Sequence, residues 1–448
     1  MPVICRMAFR YPANTFSLFP AVFISVIPLL LRVEKVRSAG MSEILLKTIP
    51  LPLTLLMGMF LTGCHSSLSS NPVDTLDTNT SLHTLCDAPL NQQIAQLSRD
   101  HFARQRSTAL VIGVISHNQP PQLFSYGFTD SDKRVPVTGD TLFAVGSVTK
   151  GVTAEIAALQ VQENKLAWSS TLRELLPSEK DLSPDAQKIT VEQLASHTAG
   201  LPRQAYDLPM LGKLVRYVFT GEPFYDDLDR GEYQDYLSTF RAPDNVKVNY
   251  SNLGYAILDS ALEQHASRTI PDMAQQDIFT PLKMTHTGYA PEKLPGYILR
   301  ARGQAGDQPK FVARGEVVPE WRFSHDMVGA ASMWSTGNDL LRYLQAHLSG
   351  TGNAQLDRAF ADAMTLRRFQ SDDDAAALGW LGYSAYGQTL LYQSGFIGGY
   401  SSYIGLDKRH GNAIVVLQNS FNWQNDIGHR LLLRMAVASE HPRICTAQ

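Results

Sequence analysis

Strand-like segments occur near both ends of the main body of this chain, and a long, mostly helical stretch separates them. On the N-terminal side two apolar runs, 109–115 and 122–128, are joined by a turn-forming Asn-Gln-Pro-Pro sequence. On the C-terminal side four further runs are typical of strands, at 378–383, 389–393, 400–406 and 413–417. This order predicts an α/β (α+β) fold, in which both termini contribute to one sheet and a helical insertion lies between them.

The N-terminal 63 residues have the features of an export signal. An apolar run at 49–61 follows Lys47 and is followed by Leu-Thr-Gly-Cys, which ends at Cys64. The run is as long as the apolar region of a signal peptide and too short for a membrane span. Leu-Thr-Gly-Cys resembles the bacterial lipobox, whose cysteine is lipidated after cleavage. We therefore expect Cys64 to carry a lipid.

Met41 is the conventional start for such a signal. We therefore predict that residues 41–63 are a lipoprotein signal peptide and that residues 1–40 are an upstream over-extension of the reading frame. The alternative is a transmembrane helix at 15–31, which is short for a span and contains prolines. His65 follows the cysteine, and no aspartate stands there to indicate retention in the inner membrane. We expect a protein of the bacterial periplasm, anchored by lipid to the outer membrane.

Residues 64–88 are rich in serine, threonine and asparagine, and we expect them to form a flexible, lipidated tether. The folded catalytic domain is predicted at 89–446. Its sheet lobe would comprise 89–146 and 325–446, and its helical lobe 147–324. Within the helical lobe, residues 205–245 are predicted to be rich in loops. We expect their many aromatic side chains to be divided between the hydrophobic core and the wall of a substrate cleft.

The composition excludes several classes of function. Apolar residues make up 44% and charged residues 18% of the chain, as in a globular protein. The formal net charge is -3 and no basic stripe is present, which argues against nucleic-acid binding. The four cysteines are widely spaced and form no Cys-x-x-Cys pair, so we expect neither a metal site nor a cofactor.

Ser147 and Lys150 lie at the junction between a strand-like run that ends at Gly146 and a helix-like run that begins at Val152. Three residues apart on a helical turn, the two side chains share one face. A serine hydroxyl is a weak nucleophile until a nearby base takes its proton, and a lysine one turn away can be that base or support it. A lone Ser-x-x-Lys is most often a helix cap beside a solvated lysine, so the significance of this pair depends on what lies downstream.

Two further motifs follow, Tyr-Ser-Asn at 250–252 and Gln-Ser-Gly at 393–395. With Ser-Val-Thr-Lys at 147–150, they resemble the motifs of the serine β-lactamase and DD-peptidase (penicillin-binding protein) superfamily. The Tyr-x-Asn motif resembles that of its class C β-lactamase-like branch. The resemblance covers residues 90–440. It implies a β-lactamase/transpeptidase-like fold, with an antiparallel sheet flanked by helices and a mostly helical insertion.

The surrounding sequence is similar to the same branch. Leu-Ala-Ser-His-Thr-Ala-Gly-Leu-Pro at 194–202 resembles a Leu-Leu-x-His-Thr-Ser-Gly-Leu-Pro motif of its members. The stretches at 330–336 and 398–402 resemble two further runs of the branch. His197, within the first of these stretches, is expected to pack or to form structural hydrogen bonds, because the sequence gives it no serine or acidic partner in a familiar spacing.

The resemblance implies roles for the first two motifs. Ser147 would attack a carbonyl carbon and become acylated, and Lys150 would assist the proton transfer. Tyr250 would carry the proton to the leaving group and activate water for deacylation. Asn252 would orient the substrate or the lysine by hydrogen bonds. A Tyr-Ser-Asn at a helix start is otherwise usually just a cap.

The third motif departs from the family pattern. Members usually have lysine or histidine at the position of Gln393, on a strand at the cleft edge, where a cation helps to hold a substrate carboxylate. Glutamine can donate a hydrogen bond but carries no charge. Ser394 and Gly395 would lie beside the acyl group, and the backbone N–H groups of Ser147 and Phe396 would form the oxyanion hole.

The resemblance also bears on the remaining cysteines. Cleavage of the leader and lipidation of Cys64 would leave only Cys86 and Cys445 as thiols, in an oxidising compartment. The fold that the chain resembles packs its N- and C-terminal helices against each other, which would bring the two flanking segments together. We therefore expect a disulfide between Cys86 and Cys445. The alternative is two free thiols on mobile ends.

Three functions remain open from the sequence. The first is a serine hydrolase that works through an acyl-enzyme on peptidoglycan peptides or β-lactams. The second is a carboxylesterase on the same fold, which the missing cation favours. The third is a non-catalytic, penicillin-binding-like envelope lipoprotein, which the complete set of catalytic residues disfavours. If β-lactams are turned over well, another cation must hold their carboxylate, and Arg203 and Arg322 are the candidates.

Overall fold

The structure, a computed structural model, describes residues 85–446 except for positions 118, 133, 180, 206, 229 and 372. The predicted leader, the lipobox with Cys64 and most of the predicted tether lie outside the described residues. Among the helices that are described, none combines the length and the hydropathy that crossing a membrane requires.

An eight-stranded antiparallel sheet is the centre of the fold, in the order β2-β1-β10-β9-β8-β7-β6-β5. β3 and β4 form a separate pair. β10 pairs with both β1 and β9, so segments from the two ends of the chain share one sheet, as the sequence predicted. The strands are β1 (Ala109–Ile115), β2 (Gln122–Gly127), β3 (Phe143–Ala144), β4 (Trp334–Ser335), β5 (Arg368–Phe369), β6 (Asp374–Ala376), β7 (Leu381–Ala385), β8 (Gln388–Ile397), β9 (Tyr400–Asp407) and β10 (Asn412–Gln418).

Helices α2 to α9 lie between β3 and β4 in the chain, so the insertion is mostly helical, and the α+β fold class is confirmed. The α-helices of the described residues are α1 (Leu90–Gln105), α2 (Thr149–Gln162), α3 (Leu172–Leu175), α4 (Val191–Ala195), α5 (Leu208–Thr220), α6 (Arg230–Thr239), α7 (Asn252–Ala266), α8 (Ile270–Met273), α9 (Val328–Ala331), α10 (Gly337–Ser349), α11 (Ala354–Ala363), α12 (Ile427–Glu440) and α13 (Pro442–Thr446).

The stretch 205–245 contains α5 and α6, so our expectation of a loop-rich region was wrong. The ends of α5 are marked by ordinary helix signals. The Asp207 side chain caps the helix by accepting a 2.7 Å hydrogen bond from the backbone N–H of Met210. Gly221 ends it with a φ of 77°. Aromatic content alone was a poor guide, because it does not distinguish a loop from a helix.

Strand β1, second from one edge of the sheet, is buried on both of its faces. Leu110 belongs to a cluster that contains Ile94 of α1 and Leu431 of α12. Its neighbour Val111 belongs to the cluster on the other face, with Leu341 of α10. Successive side chains of a strand point to opposite faces, so helices on both sides require an unbroken apolar run. The strand therefore reads as continuously apolar in the sequence.

The two ends of the described chain meet at α1 and α12. Cys86, just before α1, and Cys445, in α13, are joined as a disulfide, with their Cα atoms 4.8 Å apart. This separation lies within the range that a disulfide spans. A second contact holds the same ends together, because the Arg434 guanidinium of α12 donates a 2.8 Å hydrogen bond to the carbonyl of Ala88.

Candidate active site

Ser147 lies in a short 3₁₀ turn at 146–148, between β3 and α2. Gly146 has a φ of 53°, and a Cβ there would lie 3.1 Å from the backbone nitrogen of Phe396. A Cβ on Gly395 would overlap the carbonyl just before the turn. Glycine at both positions therefore lets the turn of the nucleophile pack directly onto β8. This packing places the backbone nitrogen of Phe396 beside the turn of Ser147.

Lys150 occupies the first turn of α2 and is only 1% exposed. Its Nζ lies 3.2 Å from Ser147 Oγ and donates a 2.7 Å hydrogen bond to the carbonyl of Ala330 in α9. Burial lowers the pKa of Lys150 well below its usual value, and the charge of Arg203 lowers it further. These effects favour the neutral amine, which can accept the hydroxyl proton of Ser147.

Tyr250 is the second group in contact with the nucleophile, since its hydroxyl forms a hydrogen bond with the Ser147 side chain. The Lys150 Nζ lies 4.9 Å from the centre of the Tyr250 ring. Burial raises the pKa of Tyr250 to about 12, although the bond to Ser147 and the charge of Arg203 oppose this rise. The resting site therefore holds a neutral phenol, which is suited to relaying a proton rather than to acting as the first base.

The start of α7 is clamped to the loop at 197–204, and this clamp positions Tyr250. Ser251 caps α7 by accepting a 2.7 Å bond from the N–H of Gly254, and its own hydroxyl donates to the carbonyl of Pro202 at 2.6 Å. His197 Nδ1 accepts a 3.1 Å bond from the N–H of Ser251, and its ring packs 4.4 Å from that of Tyr250. Burial holds the pKa of His197 well below its usual value, and the charge of Arg203 lowers it further, so the ring is neutral.

Asn252 belongs to a chain of three polar side chains that the sequence did not predict. Its Nδ2 donates a 3.0 Å bond to the hydroxyl of Tyr225, which donates a 2.5 Å bond to Gln204 Oε1. Asn252 Oδ1 is buried without a hydrogen-bond partner among the described residues. Tyr225 packs beside Phe224 at 4.5 Å, within the aromatic stretch. That stretch was the only signal in the sequence, and it did not indicate which ring lies at the site.

The third motif lies within β8 and not at the end of a strand, so the predicted end at Gln393 was wrong. β7 pairs with β8 only as far as Tyr392. β9 pairs with β8 as far as Ile397. From Gln393 onward, the other edge of β8 therefore has no strand partner within the described part of the chain. This open edge runs beside the turn that carries Ser147.

Gln393 is 3% exposed, so its side chain is buried. Its amide packs so tightly over Gly151 that a Cβ at that glycine would overlap it. Neither polar atom of the amide has a hydrogen-bond partner among the described residues. The next residue, Ser394, accepts a 3.2 Å bond from Asn425 Nδ2. β8 is buried on both faces from Leu390 to Gln393, which explains the burial of this amide.

The structure thus brings Ser147, Lys150 and Tyr250 into direct contact and connects Asn252 to the same site through Tyr225. Sequence reasoning missed the carbonyl of Ala330, which accepts a hydrogen bond from Lys150. It also missed the hydrogen bonds that Tyr225 forms with Asn252 and Gln204. In the described part of the chain, no group of three or more histidine, cysteine or acidic side chains could hold a metal ion.

Comparison with known proteins gives a consistent family. A family model described as Beta-lactamase matches residues 93–438. The chain is 27% identical over 315 residues to a Yersinia enterocolitica beta-lactamase, covering 68% of this chain and 73% of that protein. It is 25% identical over 345 residues to the D-alanyl-D-alanine-carboxypeptidase/endopeptidase AmpH of Escherichia coli K12, covering 72% and 82%. An unguisins hydrolase of Aspergillus campestris is 25% identical over 369 residues, and these span 78% of this chain but only 65% of that protein.

Solved structures agree on the fold. A beta-lactamase/D-alanine carboxypeptidase from Pseudomonas syringae superimposes with a TM-score of 0.64 at 20% identity, covering 77% of this chain and 99% of that one. A class C beta-lactamase superimposes with a TM-score of 0.64 at 18% identity, covering 78% and 96%. The chain belongs to the beta-lactamase family of serine hydrolases, within the serine β-lactamase and penicillin-binding protein superfamily.

Proposed function

We propose that this protein is a serine hydrolase that forms an acyl-enzyme with peptidoglycan peptides or β-lactams. The observation that carries the proposal is the contact of one serine hydroxyl with two proton-transfer groups. Ser147 Oγ lies 3.2 Å from the Nζ of Lys150 and forms a hydrogen bond with Tyr250. The names of the Yersinia beta-lactamase and of the Escherichia coli carboxypeptidase support the choice of substrate class.

Acylation would follow from the protonation states of these groups. Ser147 Oγ attacks the substrate carbonyl carbon as its proton passes to the neutral Lys150 amine. The negative charge on the carbonyl oxygen is stabilised by the N–H groups of Ser147 and Phe396, each contributing roughly 3 kcal/mol. Tyr250 relays the proton from Lys150 to the leaving group as the bond to that group breaks.

Deacylation would use the same groups in reverse. Water attacks the ester carbon of the acylated Ser147 and gives its proton to Lys150 through Tyr250. The serine oxygen takes that proton back as the acid product leaves, so the resting site is restored with no net change. The open edge of β8 would hold an extended, peptide-like substrate, because its N–H and C=O groups beyond Tyr392 can pair as a further strand would.

A carboxylesterase remains the second candidate, and Gln393 favours it. A neutral, buried amide stands where the family usually has a cation, so a substrate carboxylate gains no ionic partner from β8. An ester without a carboxylate would lose no binding interaction when glutamine replaces the cation.

Intact-protein mass spectrometry tests the proposal and separates the candidates. The purified protein is incubated with a penicillin and, separately, with an activated p-nitrophenyl ester, beside a Ser147→Ala control. A penicilloyl mass increase or penicillin turnover that the control lacks supports the main proposal. Turnover of the ester alone supports the esterase. If neither reagent reacts, the protein is a non-catalytic relative.

The proposed location is the bacterial periplasm, through a lipid on Cys64, which lies outside the described residues. The Leu-Thr-Gly-Cys sequence supports this proposal. Replacing Cys64 by alanine should move the protein from the membrane fraction to the soluble fraction. If the variant stays with the membrane, the apolar leader itself is the anchor and the lipid is absent.

A further inference from the structure

We propose that Arg203 binds a carboxylate on the leaving group of the substrate and so replaces the cation that Gln393 does not supply. The inference rests on the proposed acyl-enzyme function and names the charge of its preferred substrates. It begins from the position of Arg203, whose guanidinium carbon lies 5.3 Å from the centre of the Tyr250 ring.

The backbone fixes Arg203 at this position. Its carbonyl accepts hydrogen bonds from the N–H groups of Asn252 at 2.9 Å and Leu253 at 3.1 Å, at the start of α7. The carbonyl of Leu201, two residues earlier, accepts a 2.7 Å bond from the Asn249 side chain. The loop is therefore held against the helix that carries the second motif. Variation of the Arg203 side chain leaves these backbone bonds in place.

The guanidinium of Arg203 has no ion pair and no hydrogen bond among the described residues, and its side chain is half-buried. The other candidate cation, Arg322, is already neutralised, because it pairs with Glu292 at 2.8 Å and Glu320 at 3.2 Å. Lys150 is also committed, since its Nζ contacts Ser147 and Ala330. Of the cations considered for the substrate carboxylate, only Arg203 remains unpaired.

The electrostatic influence of Arg203 reaches the reacting groups. Its charge lowers the pKa values of Lys150, His197 and Tyr250. A positive charge that acts on three buried groups without a counter-ion favours a ligand that brings a negative charge. A carboxylate suits this partner, because guanidinium donates two parallel hydrogen bonds to it.

The position of Tyr250 indicates which part of the substrate carries this carboxylate. In the proposed mechanism Tyr250 delivers the proton to the leaving group, and Arg203 lies against its ring. The charge recognised by Arg203 therefore belongs to the leaving group, as does the terminal carboxylate of a peptide that loses its last residue.

A matched pair of thioesters tests the inference. One N-acylglycyl thioester has thioglycolate as its leaving group, and the other has the neutral thioglycolamide; thiol release is followed for both. Rates are compared on the plateau of each enzyme's pH profile, so that a shift in the pKa of Lys150 does not interfere. Arg203→Gln should lower kcat/KM for the thioglycolate ester roughly 10- to 100-fold and leave the thioglycolamide ester within about threefold. Arg203→Lys should restore part of the loss, and Arg322→Gln should change neither rate.

Two results would overturn the inference. Equal losses on both thioesters would mean that Arg203 acts only through Tyr250 or the fold, and unchanged rates would mean that it binds no carboxylate. A binding measurement keeps this conclusion independent of turnover. In the Ser147→Ala background, titration with N-acylglycyl-glycine and with its C-terminal amide should show a preference for the acid that Arg203→Gln removes. If the wild-type protein hydrolyses neither thioester but the Ser147→Ala variant still prefers the acid, only the proposed hydrolysis is rejected. If the acid and the amide bind with equal affinity, the role of Arg203 is rejected.

Discussion

Lys150 donates a 2.7 Å hydrogen bond to the carbonyl of Ala330, 180 residues further along the chain. The bond directs the amine of α2 toward α9 and holds Nζ at 3.2 Å from Ser147 Oγ. α9 is itself held in place, since the N–H of Gly329 donates a 2.6 Å bond to Asp259 of α7. The helices that carry the first two motifs are therefore connected through the same short turn. The position of the base depends on packing across the whole helical insertion.

The first prediction concerns the nucleophile and its two proton-transfer partners. Ser147→Ala should abolish covalent labelling and hydrolysis, because no acyl-enzyme can form. Lys150→Ala and Tyr250→Phe should each lower kcat/KM by roughly two to four orders of magnitude, as expected for loss of general acid–base catalysis. Single-turnover kinetics with an activated ester measures all three variants. Retained acylation in Ser147→Ala would place the nucleophile elsewhere.

The second prediction concerns pH. Acylation needs the neutral form of Lys150, so its rate should fall as pH decreases through the pKa of Lys150 and reach a plateau above it. Burial and the charge of Arg203 lower this pKa well below 10.5. Because the Tyr250 pKa is about 12, the phenol stays protonated across the plateau. Arg203→Gln should shift the acid limb to higher pH, since it removes one cause of the lowered pKa. An acid limb at the ordinary lysine pKa would contradict the assignment of the base.

Some of this site could be predicted from the sequence because it depends on local geometry. Ser147 and Lys150 are three residues apart on one helical turn, so their contact follows from helix spacing. The strand at 109–115 was predicted with its observed bounds, because burial on both faces makes it continuously apolar. The Tyr-Ser-Asn motif also opens a helix, with Ser251 as the cap.

Other features depend on contacts between distant segments, and no local pattern specifies them. The group that holds the Lys150 amine is the backbone carbonyl of Ala330. Every residue has such a carbonyl, so the sequence gives no sign of its role. Tyr225 is one of several aromatic residues, and only the tertiary fold selects it as the partner of Asn252. The continuation of β8 through Gly395 was missed because glycine is a common end of a strand pattern. Here glycine is needed because the backbone of another segment lies so close that a Cβ at this position would overlap it.

The third prediction concerns the hydroxyl of Tyr225. Tyr225→Phe keeps the ring but removes the oxygen that accepts from Asn252 Nδ2 and donates to Gln204. The Asn252 amide would lose the bond that sets its orientation, so kcat/KM should fall about tenfold, the loss expected for one buried hydrogen bond. Tyr217→Phe is the matched control, since Tyr217 lies in the same aromatic cluster and no hydrogen bond to Asn252 depends on it. Equal effects of the two variants would indicate a packing role.

The fourth prediction concerns the disulfide. Cys86 and Cys445 are 359 residues apart in the chain, so their bond closes a very long loop of the unfolded state. Replacing both by serine should lower the free energy of unfolding by roughly 2–5 kcal/mol. Denaturant unfolding with and without a reducing agent measures the effect. The reductant should destabilise the wild type and leave the double variant unchanged. A wild type that is insensitive to reduction would indicate two free thiols.

The last prediction separates stability from function at Gln393. Both polar atoms of its amide are buried without partners among the described residues, and each unsatisfied atom costs roughly 1–3 kcal/mol. Gln393→Met keeps the volume and removes those atoms, so it should raise the free energy of unfolding. The matched control is Gln418→Met on β10. Gln418 is equally buried, but its amide donates to Asn425 at 2.6 Å and accepts from Asn422 at 3.0 Å, so this variant should destabilise the protein.

If the unpaired amide of Gln393 serves the substrate, Gln393→Met should lower kcat/KM while the protein becomes more stable, as in other sites where function is retained at a cost in stability. Thermal unfolding and thioester hydrolysis, measured on the same preparations, test both parts. A variant that is no more stable than the wild type would mean that the amide is hydrogen-bonded in solution. A variant that is more stable and fully active would mean that Gln393 contributes nothing to turnover, and the selection of substrates would then depend on Arg203 and the open edge of β8.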